Sequence, residues 1–224
     1  MYPRRLEVIE GGPECSRTPR NCNTQVRVDR PNAVYARQLQ ELLGGKYGEM
    51  SVMTQYLFQG WGLRGDAGDP RLRRLKDMLL DTGTEEIAHV EMLATCIALL
   101  LDSASAEVQE EAARSNPVVC ATLGEMNPQH MIVSGLSALP ADSVGTPWSG
   151  AYATASGNII PDLSGKATAE MHGRLQACRM YEMTTCNSPR GLSRMHAHAS
   201  GSGTRYLTGQ GAFVGCIALD GGRR

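Results

Sequence analysis

Aromatic residues are scarce, at 5% of 224, so platforms for stacked bases are not expected. Charge of one sign is missing too: 22 Lys+Arg stand against 23 Asp+Glu, a net −1. That balance leaves no electrostatic footprint for nucleic acid or for an anionic membrane surface. No apolar run is long enough to cross a bilayer. Arg4 and Arg5 open the chain, yet no apolar signal core follows them, and the expected compartment is the cytoplasm. The seven cysteines are Cys15, Cys22, Cys96, Cys120, Cys178, Cys186 and Cys216. Their number is odd and no CxxC occurs, which argues against a disulfide framework and against a zinc site. Cys96 and Cys178 fall inside apolar helical patterns and read as core filler.

What is present is helical. Residues 1–30 show no sustained period, contain Gly11-Gly12-Pro13 and read as an irregular arm. A first helix is expected from Pro31 or Asn32 to Leu63, with a break at Gly44-Gly45. The run Arg64 to Pro70 is a loop ending on a helix-start signal. The second helix, Pro70 to Leu101, carries the clearest stripe: Leu72, Leu75, Leu79, Thr82, Glu86, His89, Leu93, Cys96 and Leu100, in steps of three and four. Residues 102–160 are irregular, with one short helix near Ala106–Arg114. So long a connection suits a crossover between parallel helices of a bundle. A third helix is expected over Asp162–Thr184, with Leu163, Ala167, Glu170, Ala177 and Tyr181 inward. Residues 185–224 are rich in glycine and serine and show no helical period. The division is thus an arm (1–30), a helical domain (31–184) and a divergent tail (185–224).

Three helices place acids in the middle of an oily stripe. Glu49 lies on the first helix with Leu42, Met53 and Tyr56 on the same face. Glu86-x-x-His89 sets a carboxylate and an imidazole one turn apart on the second. Glu170 sits mid-length on the third. Taken singly, each has a plainer reading: a solvated pair, an exposed acid, a core tyrosine. Glu85 and Glu91 lie off the stripe and read as solvated. Together the inward acids form a pattern, because a bare carboxylate in an apolar seam loses several kcal/mol to desolvation or takes up a proton. Two divalent cations remove that conflict. Bundles that hold such a pair use one Glu from each of two helices and a Glu-x-x-His from each of the others. Glu49, Glu86, His89 and Glu170 supply three helices of the four.

The segments Leu43-Gly-Gly-Lys-Tyr-Gly-Glu49 and Asp81-Thr-Gly-Thr-Glu-Glu-Ile-Ala-His-Val-Glu-Met92 resemble the manganese catalases. So do Asn127-Pro-Gln-His130, the run Trp148 to Asn158, Gly173-Arg-Leu-Gln176 and Tyr181-Glu-Met-Thr184. The resemblance runs from about Pro31 to Thr184. It implies an all-α, ferritin-like four-helix bundle with a long crossover connection. It also implies a non-haem dimanganese centre that disproportionates hydrogen peroxide to water and oxygen. By position, Glu49, Glu86, His89 and Glu170 resemble the family's metal ligands, with Glu86 between the metals. Tyr56 resembles the tyrosine that hydrogen-bonds near them. Glu170 and Glu86 are the expected proton carriers. Some members bind calcium through aspartates matching Asp77 and Asp81, and the family favours hexamers.

The family's fourth helix carries a second ligand histidine, which should fall near Gly203. Here that position lies in Ser200-Gly-Ser-Gly-Thr204, poor helix material. His196 and His198 are out of register, and His172 points off the Glu170 face. The abrupt end of the match resembles a reading-frame shift or a truncated copy. Resequencing tests this reading, which requires a catalase-like ending in another frame. Two other readings share these residues: a carboxylate-bridged di-iron oxidase or iron-storage protein, and a structural spore-coat-type relative that keeps the fold.

Overall fold

The computed structural model describes residues 26–64, 69–102 and 136–184. The short helix expected near 106–114, and everything expected of the arm and the tail, lie outside the described residues. Among the described residues there are four α-helices, a single 3-10 turn at Gly150–Tyr152 and one isolated β-bridge, Ala141 to Pro147.

The first expected helix is two helices. Helix α1 spans Ala33–Gly44 and starts where the Asn32 side chain accepts from the Tyr35 N–H at 2.9 Å. It stops at the glycine pair. Helix α2, Glu49–Gly62, begins on the far side of the interruption, with Glu49 in its first turn. An acid is favoured there by the partial positive charge of the helix start. Glycine is required on both sides of the break by close packing. A Cβ on Gly44 would fall on the backbone of Ala141, and one on Gly48 would meet the Leu42 and Leu43 carbonyls at 2.8 Å.

Helix α3, Pro70–Leu100, is capped by Asp69, which accepts from the Arg71 N–H at 2.9 Å, and has proline in its first turn. Helix α4 spans Ile159–Glu182 and is capped by Asn158. It starts earlier than the expected Asp162, because Asn158 is the better cap and Pro161 is tolerated in a first turn. The Asn32 N–H donates to the Leu100 carbonyl at 2.8 Å, tying the start of α1 to the end of α3. Two glycines let α2 and α3 approach closely. A Cβ on Gly60 would meet Leu80 at 2.7 Å, and one on Gly83 would meet Leu57 at 2.8 Å.

The core is divided. One apolar cluster joins Tyr35, Ala36, Leu39, Leu42 and Leu43 of α1 to Met92, Leu93, Cys96, Ile97 and Leu100 of α3 and Met180 of α4. A second joins Val52 and Tyr56 of α2 to Leu75 and Leu79 of α3 and Leu163 and Ala169 of α4. Along each chain path the buried acids fall between the two: Glu49 after the first set, Glu86 and His89 between Leu79 and Met92, Glu170 between Ala169 and Met180.

The connection leading into α4 lies on the bundle and is sewn to it by polar side chains. Gln40 donates to the Leu139 and Ala141 carbonyls and accepts from the Leu139 N–H. The Trp148 indole N–H donates to Ser51 Oγ at 3.0 Å. Thr154 donates to Gln55, and Gln59 donates to the Thr154 carbonyl, both at 2.7 Å. Ser51, Gln55 and Gln59 recur every fourth residue and so share one face of α2.

Several expected core positions differ. Cys96 is fully buried, but Cys178 is exposed. Inward on that turn of α4 are Ala177 and Met180, and one residue is 100° of helix rotation, enough to turn Cys178 out. Leu72, Thr82, Ala167 and Tyr181 are half-buried rather than core. Met171 and Leu175 lie exposed on α4, while Lys166 is fully buried.

Candidate metal centre

Each acid reaches the middle layer by its helix register. The interruption after Gly44 sets Glu49 at the start of α2. The three-and-four spacing of α3 carries Glu86 and His89 to the same level, and Glu170 arrives from α4. Glu49, Glu86 and His89 bring potential ligand atoms within 4.8 Å of one another, and could hold a metal ion. His89 Nδ1 lies 2.5 Å from Glu86 Oε2 and 3.8 Å from Glu49 Oε2. Glu170 stands beside this trio, 4% exposed, and accepts from the Tyr56 hydroxyl at 2.8 Å.

The layer is in electrostatic conflict with itself. Burial, then the charge of Glu49, pushes the Glu86 carboxyl well above its ordinary range, against the pull of His89. Burial lifts Glu170 to about 7, against the hydrogen bond from Tyr56. Burial disfavours a charged His89, but the hydrogen bonds and charges of Glu49 and Glu86 outweigh it and raise the imidazole to about 10. The Tyr56 phenol is held far above its usual value by burial and then by the Glu170 charge. Too much buried negative charge is shared by too few protons.

One member of the layer escapes sequence reasoning. Lys166, one turn before Glu170, is 0% exposed. Its Nζ donates to the Val52 carbonyl at 2.7 Å and sits 3.4 Å from the centroid of the Tyr56 ring. A lysine in a helix ordinarily reads as solvated. The available signal was its position three residues after Leu163 and four before Glu170, on the inward face. His172 is exposed and stacks on Tyr47, with ring centroids 4.3 Å apart, turned off the Glu170 face as its spacing requires. Glu85 and Glu91 are exposed, as expected. Asp77 and Asp81 are exposed one turn apart on α3. Gly203, His196 and His198 lie outside the described residues.

A helical bundle with a carboxylate- and imidazole-lined polar layer between two apolar blocks is an architecture that can hold metal. Relatives place it within that class. The profile of the manganese containing catalases matches residues 18–191, and the chain belongs to that family. It is 54% identical to the uncharacterized protein YjqC of Bacillus subtilis over 160 residues, 71% of this chain and 55% of that one. A manganese catalase of Bacillus subtilis is 53% identical over 156 residues, 70% of this chain and 55% of the relative. The chain thus spans little more than half the length of these relatives. The crystal structure of KatB, a manganese catalase from Anabaena, superposes with a TM-score of 0.70, at 23% identity, over 96% of this chain and 81% of that one. The fold is that of the manganese catalases. No helix among the described residues is long and apolar enough to cross a membrane.

Proposed function

We propose that residues 31–184 form a dimanganese catalase domain that converts hydrogen peroxide to water and oxygen. The observation that carries this reading is the buried cluster of Glu49, Glu86 and His89, with Glu170 beside it, whose unresolved negative charge calls for cations. The donor set fits manganese: carboxylate oxygens are hard ligands, and imidazole is compatible with them. On this reading Glu49, Glu86, His89 and Glu170 would hold the two metal ions, and Tyr56 would steady Glu170. Calcium at Asp77 and Asp81 would need further ligands from beyond the described residues.

When bound, a manganese pair supplies two electrons and takes them back, one per ion, as peroxide disproportionation requires. The chain's own side chains do the rest. Two protons must leave one peroxide and reach the other. Glu170, which accepts from the Tyr56 hydroxyl, and Glu86 are the buried carboxyls placed to pass these protons. The apolar clusters on either side exclude water from the layer, which strengthens these interactions.

A homo-oligomer is part of the proposal. Phe58 and Trp61 pair at 5.3 Å on the outside of α2, 56% and 60% exposed, and Met171 and Leu175 lie open on α4. Such apolar surface favours burial against further protein.

The test is oxygen evolution from peroxide by purified protein, with metal analysis of the same sample. Manganese with turnover is expected, at a lower rate per manganese than in a relative that carries the fourth-helix histidine. Iron in place of manganese, without turnover, would favour the di-iron reading. Folded protein that carries no transition metal after growth in excess manganese would sink the proposal.

A further inference from the structure

We propose that Lys166 is a positioning residue: its Nζ grips the Val52 carbonyl and the face of the Tyr56 ring, and so fixes the phenol that holds Glu170. The inference rests on the manganese site proposed above and concerns how that site is kept in shape.

The geometry is a pair of rungs between α2 and α4. Val52 and Tyr56 are one turn apart on α2, and Lys166 and Glu170 are one turn apart on α4. The upper rung is the Tyr56 hydroxyl donating to Glu170 Oε1 at 2.8 Å. The lower rung is Lys166 Nζ donating to the Val52 carbonyl at 2.7 Å, with the same nitrogen 3.4 Å from the Tyr56 ring centroid. A nitrogen that close to a ring face makes a short cation–π or N–H···π contact. It also blocks the ring from tilting toward α4, so the hydroxyl keeps its line to the carboxylate.

A merely space-filling role does not account for lysine here. Methionine fills a similar volume with no charge to desolvate, and lysine is almost never fully buried unless paired. At 0% exposure Lys166 bears that cost in full. Its electrostatic compensation comes from Glu170, Glu86, Glu49 and Asp162. The grip itself needs only N–H groups, which both the ammonium and the neutral amine carry. Drawn toward the ring, those N–H groups withdraw electron density from the phenol and make its O–H a stronger donor to Glu170.

The test is a double-mutant cycle read as manganese affinity, by chelator competition on the full chain, with far-UV circular dichroism on each variant. Lys166→Met is expected to weaken binding about tenfold, the lower end of what outer partners of ligands contribute. Tyr56→Phe should cost a similar factor. Adding Lys166→Met to Tyr56→Phe should then cost little more, because no hydroxyl remains to be held. Lys166→Arg, which keeps N–H donors, should recover most of the loss. If Lys166→Met does not fold, Lys166→Gln takes its place in the cycle. Unchanged affinity in the Lys166 variant, or losses that multiply fully in the double variant, overturns the clamp while leaving the metal site standing. A parent chain that takes up no manganese overturns the metal site, and the clamp with it.

Discussion

Glu86→Gln should invert the order of stability between the metal-free and metal-loaded protein. The Glu86 carboxylate is 6% exposed, is desolvated and faces the charge of Glu49. Glutamine has nearly the same shape, and its amide oxygen can still accept from His89 Nδ1. The exchange therefore removes a penalty and leaves packing intact. Burial and the Glu49 charge outweigh the partnership with His89, so the net relief is small, about 1 kcal/mol. In a chain of this size each kcal/mol moves Tm by roughly 2–4 °C, so the metal-free variant should melt a few degrees above the metal-free parent. Manganese reverses the ranking. At a free concentration about 100 times Kd, a ligand that binds only the folded state adds about 2.7 kcal/mol to the parent. The variant, lacking the Glu86 carboxylate of the proposed site, should gain far less. Differential scanning calorimetry of both proteins, after chelation and after manganese loading, gives all four numbers. A metal-free variant that melts below its parent, or one whose Tm rises with manganese as much as the parent's, would refute the reasoning.

Other outcomes follow from the same geometry. His89→Ala should abolish manganese binding while leaving far-UV circular dichroism nearly unchanged, and retained stoichiometry would place the ligands elsewhere. Through Glu170 and His89 the metal-free chain should lose stability as pH rises, an effect that Lys166, whose ammonium is disfavoured by burial, opposes. The folded pKa values of Glu170, about 7, and His89, about 10, lie above their ordinary values of 4.5 and 6.5. The stabilisation these two groups give by holding protons is therefore full below the ordinary values and is lost as pH climbs through 7 and then 10. Because binding needs these groups deprotonated, manganese affinity should instead grow with pH, and calorimetry in buffers of different ionisation enthalpy should register proton release. Gly83→Val would press a side chain onto Leu57 and Tyr56, 2.8 and 3.2 Å from its Cβ, and should cost about 1–3 kcal/mol in urea unfolding. Gly44→Ala would set its Cβ against the Ala141 backbone, 2.5 Å from its carbonyl carbon. It should lower Tm by more than Gly83→Val, since backbone cannot turn aside.

Helix α3 was legible because its face is wide and regular: leucines at three-and-four spacing leave Glu86 and His89 no outward alternative. Its start was equally plain, from Asp69 and Pro70. Helix α4 was harder. It carries methionine and leucine outward at Met171 and Leu175, and small or charged residues inward at Ala169 and Lys166, so apolarity alone misplaces its face. That is why Cys178 reads as core and Lys166 goes unnoticed. The polar row Ser51, Gln55 and Gln59 was invisible for a related reason. Its partners, Trp148 and Thr154, lie far along the chain, and pattern within a helix says nothing about which distant carbonyls it will meet. Glu49, Tyr56 and Glu170 gained their place from three weak signals agreeing at mid-length, which no single helix could supply.

The separation of the hydrophobic interior into two blocks has an evolutionary consequence. Each block joins helices from different parts of the chain without help from the acids between them, and Tyr56 alone belongs both to a block and to the proposed metal site. A descendant could exchange every ligand for inert side chains, as Glu86→Gln does in miniature, and emerge a sturdier molecule of the same outline. If the proposed catalysis holds, its loss in such a lineage is a downhill path in stability, and an inactive scaffold is the end it leads to.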